Sequence, residues 1–367
     1  MPVLKKIVIQ DFRNIALQEL EFSPNINCIS GGNGEGKTNL LDAIWYLSLT
    51  KSASALSDRF NITHGKESLG LSGLYEMEDG RSVRICIRAG RDGEKKVTRD
   101  DKAYGRISDH IGLLPIVMVS PSDSAMVSDS GEERRRFVNS VLSQTDSSYL
   151  RNLQTYNRLL AQRNTLLKSA SVDAGLLDVL DERLDTLAAP ISEARKVFCE
   201  SLNPIVRNFY RLISDEKEDV SITYRTDLEE RPLVHLLKEQ RNRDLALRYT
   251  SSGIQRDDFV FGMDGFPIRK CGSQGQQKSF LVALKFAQYE IMKENCACRP
   301  ILLLDDLFDK LDMQRVANLL KMVSGNDFGQ IFLSDSNKVR TESIIDGITS
   351  DRKYYIARGG AFSCEQD

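Results

Sequence analysis

Short runs of apolar residues in the first third of the chain predict β-strands. These runs lie at 7–9, 26–29, 69–75, 83–87 and 116–119, with turn signals such as "EDGR" and "RDGE" between them. A helical spacing interrupts this pattern at Leu40, Leu41, Ile44 and Leu47, which predicts a helix over 39–49. The first third is therefore expected to form sheet structure around one early helix.

A helical block begins near Ser147. It contains two amphipathic patterns, and the turn-like segment "SASVDAG" at 169–175 separates them. The first pattern has its apolar face at Leu150, Leu153, Tyr156, Leu160 and Leu167, and the second runs from Leu177 to Leu212. Pro190 and Pro204 predict kinks in the second helix. We expect two antiparallel helices joined by a short loop.

Strand-like runs return after the helical block, at 220–224, 259–262, 301–304, 331–333 and 354–357. The helical block therefore interrupts an α/β domain. The predicted domains are a split head, formed by residues 1–125 and 215–367, and an inserted helical arm at 126–214.

Composition limits the class of protein. The chain has 367 residues, of which 41% are hydrophobic and 28% are charged, and its net charge is −2. This composition is typical of a soluble protein of about two domains. No apolar run approaches the roughly 20 residues of a membrane helix and no signal peptide stands out, so we expect a cytoplasmic protein without a membrane partner. The seven cysteines include no C-x-x-C pair, which disfavours a disulfide framework or a zinc site.

The segment "GGNGEGKT" at 31–38 matches the phosphate-binding pattern G-x-x-x-x-G-K-[ST] between a predicted strand and a predicted helix. Glycines let successive amide groups turn toward an anion, and the helix start adds its positive dipole end. Lys37 is expected to reach the outer phosphates of ATP, and Thr38 to bind Mg²⁺. The residues expected around the nucleotide are Gly31, Gly32, Asn33, Gly34, Glu35, Gly36, Lys37 and Thr38.

A second part of the site is expected much later in the chain. "RPILLLDDLFDKLD" at 299–312 is an apolar strand that ends in two carboxylates. Asp305 is the predicted Mg²⁺ ligand, and Asp306 is the predicted catalytic residue that orients or deprotonates the attacking water. The turn "SQGQQ" at 273–277 precedes a predicted helix and resembles the signature motif of ABC-type ATPases.

The chain as a whole resembles the RecF family of bacterial repair proteins, which are related to SMC-type ATPases. The resemblance runs nearly from end to end, through "DFRNI" at 11, "GGNGEGKTNLLDAI" at 31, "SPSDSAMV" at 120, "ERRRFV" at 133, "YLRNLQTYNRLLAQRNTLLK" at 149, "GIQRDD" at 253, "GSQGQQKS" at 272 and "LLLDDLFDKLD" at 302. It implies an α/β fold, an ABC/SMC-like P-loop ATPase head with an inserted, coiled-coil-like helical arm.

The same resemblance implies a mechanism. Two heads close on two ATP molecules, with the phosphate loop of one facing the signature turn of the other. Arg13 and Asn14 would lie near the nucleotide. Ser273, Gly275 and Gln276 would contact the nucleotide of the partner subunit, and Asp312 would cross the interface as the D-loop residue.

The resemblance also implies a cellular role. The family forms an ATP-dependent homodimer on double-stranded DNA or single/double-strand junctions, and it assists RecA loading with RecO and RecR. ATP would then act as a switch, with weak, DNA-stimulated hydrolysis.

The chain departs from the family pattern at three places. Ile254-Gln255 replaces a usual Pro-His, Asn139 replaces a usual Asp, and no histidine follows the strand at 331–333, where ABC-type ATPases carry their switch histidine. The lack of this histidine favours slow hydrolysis.

Two basic clusters are candidates for the DNA interface. Arg134, Arg135, Arg136, Arg151 and Arg158 are the expected contacts, and the segment from Arg81 to Arg106 is the second choice. The residues alone also allow two other functions. One is the ATPase subunit of a transporter, and the other is a nucleotide-binding scaffold that does not hydrolyse ATP.

Overall fold

The computed structural model describes residues 1–55, 57–128, 131–214, 218–306, 328–338 and 349–365. Its strands are β1 Val3–Phe12, β2 Ile15–Glu21, β3 Ile26–Ser30, β4 Ser68–Glu76, β5 Ser82–Gly90, β6 Lys95–Arg99, β7 Lys102–Ala103, β8 Ile116–Val119, β9 Val220–Arg225, β10 Asp258–Met263, β11 Phe266–Pro267, β12 Ile301–Asp305, β13 Ile331–Asp335, β14 Arg352–Arg358 and β15 Ala361–Glu365. Its α-helices are α1 Lys37–Leu49, α2 Ala125–Ser128, α3 Gly131–Thr145, α4 Ser147–Leu167, α5 Ala174–Ser214, α6 Leu233–Glu239, α7 Arg241–Leu247, α8 Ile268–Cys271 and α9 Gln274–Asn295.

The first of two compact units consists of Met1–Asp123, Leu212–Asp215 and Leu281–Asp367. One of its two sheets is antiparallel, with the strand order β2-β1-β4-β5-β6-β7. The other has the order β15-β14-β3-β13-β12-β8, in which all neighbours except β14 and β15 are parallel. Parallel strands place their carboxyl ends at one edge, so the loops that follow β3, β8, β12 and β13 share that edge.

Helix α1 lies in the core of this unit. Ten of its thirteen residues are buried. Leu40, Ile44 and Leu47 are among them, and these three belong to an apolar cluster that takes residues from both sheets. A helix that is apolar on most of its surface is stable only when it is enclosed. The phosphate loop therefore leads into an element that the core fixes from several sides.

The second compact unit consists of Ser124–Arg211 and Glu216–Phe280. Helices α4 and α5 run antiparallel in it, as two contacts show. Arg163 near the end of α4 binds Asp181 near the start of α5. Tyr149 at the start of α4 binds Arg195 further along α5. The unit also contains the three-stranded sheet β11-β10-β9. Leu233 and Leu237 of α6 join its apolar core with residues of α4 and α5.

The predicted strands and the predicted helical hairpin are confirmed to within a few residues. Helix α5 continues through Pro190 and Pro204, and the kinks predicted there stay a prediction. The sequence analysis missed β2, β6, β15, α3, α6 and α7, as well as the short elements β7, β11, α2 and α8. The arm at 126–214 also stays a prediction as a separate domain, since the compact unit that contains its helices takes in residues up to Phe280. In the described part of the chain, no helix combines the length and apolar character needed to cross a bilayer.

Candidate nucleotide-binding site

The phosphate loop joins the end of β3 to the start of α1. Gly36 precedes the helix with φ 104°, a left-handed conformation that favours glycine, and no side chain caps the first turn. The amide groups of that turn have no partner within the helix. The local sequence therefore leaves a set of donors at the positive end of the helix dipole, where an anion binds favourably.

Lys37 lies across this loop. Its ammonium group donates hydrogen bonds to the carbonyl oxygens of Gly31, at 2.8 Å, and Gly32, at 3.0 Å, and the residue is only 4% exposed. A flexible lysine side chain bound to neutral carbonyl groups can exchange them for phosphate oxygens, to which charge-assisted hydrogen bonds are stronger. The predicted position of Lys37 at the phosphates is consistent with this geometry.

Asp305 meets the phosphate loop from the end of β12. The Thr38 hydroxyl donates to its carboxylate at 2.9 Å, although the two residues are 267 positions apart. The Ser334 hydroxyl donates to the same carboxylate at 2.6 Å. Burial raises the pKa of Asp305, while these two hydrogen bonds and the charge of Lys37 act in the opposite direction.

The strand register explains why these groups meet. In the parallel sheet, Asp305 pairs with Ser334, and Asp335 pairs with Ser30 at the end of β3. The sequence shows only that no switch histidine follows the strand at 331–333 and assigns no role to Ser334. The structure gives it a definite contact, because its hydroxyl group holds the Asp305 carboxylate. Hard oxygen donors such as the Thr38 hydroxyl and the Asp305 carboxylate suit Mg²⁺.

Asp306 follows directly at the same edge of the sheet. Its backbone has φ 42°, and its amide group donates to the carbonyl oxygen of Ser334 at 3.2 Å and to the Ser334 hydroxyl at 3.1 Å. This turn takes the Asp306 backbone out of the strand conformation after Asp305. The two successive acidic residues therefore have different backbone conformations.

A hairpin turn that the sequence analysis missed supports the phosphate loop. The amide group of Gly359 donates to the Glu35 carboxylate, and the amide group of Gly360 donates to the Glu35 carbonyl oxygen at 2.9 Å. Gly360 has φ 86°, and a Cβ atom there would lie 2.1 Å from the carbonyl oxygen of Asn14. The turn between β14 and β15 therefore fits closely against residues 14 and 35.

Arg13 and Asn14 both lie near the start of α1. The Arg13 guanidinium donates to the Asp42 carboxylate at 2.5 Å and to the Asn39 side-chain oxygen at 2.9 Å. The Asn39 amide group donates in turn to the side-chain oxygen of Asn14 at 2.7 Å. Arg13 is thus anchored on the helix that carries the phosphate loop.

The signature turn belongs to the second compact unit. Ser273 and Gln276 form a reciprocal cap at the start of α9. The backbone amide group of Ser273 donates to the Gln276 side-chain oxygen at 2.7 Å, and the backbone amide group of Gln276 donates to the Ser273 hydroxyl oxygen at 3.3 Å. Ser273 and Gln274 are exposed, and Gly275 is half-buried. Asp312, the predicted D-loop residue, lies outside the described residues.

The five predicted DNA-binding arginines differ in their surroundings. Arg134 is 13% exposed and makes two hydrogen bonds to the Asp258 carboxylate, and Arg135 donates to the Asp257 carbonyl oxygen. Arg136 is paired with Glu132 and Glu133. These contacts give Arg134 and Arg135 structural roles that weigh against a DNA contact.

Arg151 and Arg158 lie exposed on α4. In the second cluster, Arg88 and Lys96 are exposed cross-strand neighbours on β5 and β6. Both DNA assignments stay predictions.

Two of the three departures from the family pattern lie beside the buried Arg195, which also donates to the Ile254 carbonyl oxygen at 2.7 Å. Arg195 binds the Asp257 carboxylate at 2.6 Å and the Asn139 side-chain oxygen at 3.1 Å. Gln255 accepts a hydrogen bond from Tyr156 at 2.6 Å. Burial raises the pKa of Asp257, and the charge of Arg195 opposes that shift. An aspartate at 139 would add a second negative charge beside Arg195, whereas asparagine leaves one cation balanced by one carboxylate.

The comparisons with known proteins agree with the resemblance seen in the sequence. A family model described as RecF/RecN/SMC N terminal domain matches residues 3–348. The DNA replication and repair protein RecF of Bacteroides fragilis is 42% identical over 362 residues, which cover 98% of each chain. The chain belongs to the RecF family.

Solved structures extend this result. A structure of the recombination mediator protein RecF with ATP in the RecFOR pathway has a TM-score of 0.89 and 27% identity, and the match covers 100% of this chain and 98% of that chain. The Smc head domain of Pyrococcus furiosus, at 15% identity, has a TM-score of 0.60 over 100% of this chain and 96% of its own. The predicted ABC/SMC-like ATPase head is confirmed, and membership of the RecF family does not support the transporter alternative.

Proposed function

We propose that this RecF-family chain is an ATP-gated DNA-binding protein of recombinational repair and replication. ATP binding drives head-to-head dimerisation on double-stranded or gapped DNA, and slow hydrolysis releases the dimer. The observation that supports this proposal best is the contact of Thr38 and Asp305 beside Lys37, which assembles a nucleotide site from opposite ends of the chain. Relatives named as DNA replication and repair proteins support the DNA-directed role.

The site residues take separate roles in this proposal. Lys37 and the amide groups of residues 31–36 hold the phosphates, and Thr38 and Asp305 hold Mg²⁺, which neutralises phosphate charge when bound. Asp306 orients the attacking water. Ser273, Gly275 and Gln276 contact the nucleotide of the partner subunit, and Asp312 crosses between subunits.

Partners follow from the family. A RecF structure is described as belonging to the RecFOR pathway, so RecO and RecR are the proposed protein partners, with RecA loading as the outcome that they assist. The proposed location is the cytoplasm, where the DNA is. Arg151 and Arg158 are the proposed DNA contacts on α4.

Two variants test the proposed function by separating ATP binding from assembly. Lys37→Ala removes the phosphate ligand, and we expect ATP affinity to fall at least about a hundredfold, because charge-assisted hydrogen bonds to the triphosphate are lost. Ser273→Arg leaves the phosphate loop intact, so it should bind ATP normally but fail to dimerise, since a bulky cation occupies the place of the partner's γ-phosphate.

Binding titrations and light scattering, with and without ATP and duplex DNA, measure both effects. Ser201→Arg is the matched control, because it places the same cation at an exposed serine of α5 whose hydroxyl group donates to the Val197 carbonyl oxygen within the helix. Unchanged ATP affinity in Lys37→Ala would contradict the assignment of residues 31–38 as the phosphate-binding site. An ATP-dependent dimer of Ser273→Arg would refute contact between signature turn and partner nucleotide.

A further inference from the structure

Glu218 lies between the end of the long helix α5 and the signature turn. One carboxylate oxygen accepts a hydrogen bond from the Tyr210 hydroxyl at 3.0 Å, and the other accepts one from the Gln276 side-chain amide group at 2.7 Å. Tyr210 is buried in the last part of α5, and Gln276 lies in the first turn of α9. A single carboxylate therefore joins the helical segment to the signature turn.

This contact fixes which way the Gln276 amide group points. An ionised carboxylate only accepts hydrogen bonds, and a backbone amide group only donates them. The side-chain nitrogen of Gln276 must therefore face Glu218. Its side-chain oxygen must face the backbone amide group of Ser273, from which it accepts a hydrogen bond at 2.7 Å. The nitrogen keeps a second hydrogen that can donate to an anion. The two contacts agree on one orientation of the side-chain amide group, and Glu218 holds the nitrogen end of it.

The segment that carries Glu218 is bound firmly to α5. Asn203 exchanges two hydrogen bonds with the backbone of Ile222, at 2.6 and 2.7 Å, and Arg207 donates to the Val220 carbonyl oxygen at 2.9 Å. Side-chain hydrogen bonds from Asn203 and Arg207 therefore attach β9 to α5. They provide a physical connection between α5 and the segment that carries Glu218.

We propose that Glu218 is a positioning residue that couples α5 to the signature turn. Its carboxylate holds Gln276 in the orientation that meets the nucleotide of the partner subunit, and Tyr210 holds the carboxylate. This inference rests on the proposed function, in which the signature turn acts across an ATP-dependent dimer. It adds a route by which contacts along the helical segment change dimerisation, and by which dimerisation changes the helical segment in return.

The experiment measures dimerisation of the full chain by sedimentation velocity with a non-hydrolysable ATP analogue. Glu218→Ala should raise the dimer dissociation constant at least about tenfold, the effect of losing a charge-assisted hydrogen bond. Glu218→Gln keeps a side-chain acceptor and should stay within about threefold of the wild type. ATP binding to the isolated chain should be the same in all three, because the phosphate loop is unchanged.

A matched control is Glu239→Ala. Glu239 is an exposed carboxylate of the same compact unit, paired with Arg231 at 3.1 Å, and its removal should leave dimerisation unchanged. Tyr210→Phe tests the link to α5 with a smaller change. It should weaken the dimer severalfold, and the double variant with Glu218→Ala should be no weaker than Glu218→Ala alone, since both substitutions break one chain of contacts.

The outcomes separate the two proposals. A wild-type chain that stays monomeric with the analogue would contradict the proposed function itself. A wild-type dimer with an equally tight Glu218→Ala dimer would overturn the positioning role and leave the proposed function standing. If circular dichroism shows that Glu218→Ala is misfolded, Tyr210→Phe decides, and wild-type dimerisation of that variant would overturn the inference. Additive effects in the double variant would also overturn it.

Discussion

The carboxyl group of Asp305 is held by two hydroxyl groups and is almost fully shielded from water. Burial disfavours its charged form, which is why its pKa is raised. The hydroxyl groups of Thr38 and Ser334 compensate part of that cost by donating to the charged form. A residue placed in this way is suited to bind a cation, because a bound cation supplies the stabilisation that the protein interior does not.

Replacement of Asp305 by Asn tests this balance at the residue scale. A carboxyl group whose pKa is raised in the folded state takes up its proton more readily there, so its ionised form reduces stability at neutral pH. Asp305→Asn should therefore have a free energy of unfolding equal to or above that of the wild type at pH 7. The difference should shrink as the pH falls toward the range in which the carboxyl group titrates. In the proposed function, loss of this Mg²⁺ ligand should also abolish ATP hydrolysis.

Urea denaturation between pH 7 and pH 5, without metal or nucleotide, measures the stability part. Asp264→Asn, a change at a turn residue in the other compact unit, serves as a control for the loss of a carboxylate. A clear loss of stability in Asp305→Asn at pH 7 would show that the ionised carboxylate stabilises the fold and that burial is not the dominant influence.

At the scale of elements, the sequence predicts those helices, strands and loops whose structure is determined by residues close together in the chain. The phosphate loop and α1 were predictable because a strand, a glycine pattern and a helical period follow one another. The Asp305 position was predictable because parallel strands end at one edge of a sheet. The supporting turn at Gly359 and Gly360 was not, because its partner Glu35 lies more than 300 positions away and no local pattern indicates the contact.

Arginines on the helices show the same limit. Arg151 and Arg158, which the sequence predicts as DNA contacts, are exposed on α4. Nothing in the local sequence indicates that Arg163, on the same helix, is fully buried between Asp181 and Asp244. The basic residues along one helix do not indicate which of them will bind buried carboxylates from distant helices, here α5 and α7.

Replacement of Arg163 by Ala tests the energetic role of this buried group. The substitution leaves two carboxylates in the interior without their shared cation, and breaking such a pair costs about 3–5 kcal/mol of stability. Arg158→Ala on the same helix is the matched control and should change stability by less than about 0.5 kcal/mol, because it is exposed. Chemical denaturation followed by circular dichroism measures both. A loss below about 1 kcal/mol in Arg163→Ala would mean that Arg241, which also binds Asp181, compensates for the change.

For the whole molecule, the net charge of −2 makes local charge the only source of attraction to DNA. In the proposed function, ATP joins two chains on one duplex, so the number of neutralised phosphates should roughly double. Counterion release lowers the logarithm of affinity with the logarithm of salt concentration, at a slope of about −0.9 for each phosphate contacted. A monomer that contacts roughly four phosphates should give a slope near −4, and the ATP-bound dimer a slope of roughly −7.

The measurement is fluorescence anisotropy of duplex DNA across a salt series, with and without a non-hydrolysable ATP analogue. Two double variants identify the DNA-binding surface in the same experiment. Arg151→Ala with Arg158→Ala should flatten the slope by about 2 in the monomer and about 4 in the dimer, with ATP binding retained. Arg88→Ala with Lys96→Ala is the comparison from the other basic cluster and should leave the slope unchanged. The reverse result would place the DNA interface on the antiparallel sheet. Equal slopes with and without the analogue in the wild type would reject ATP-driven doubling of the DNA contact, because a dimer that holds one duplex with both chains must release more counterions than a monomer does.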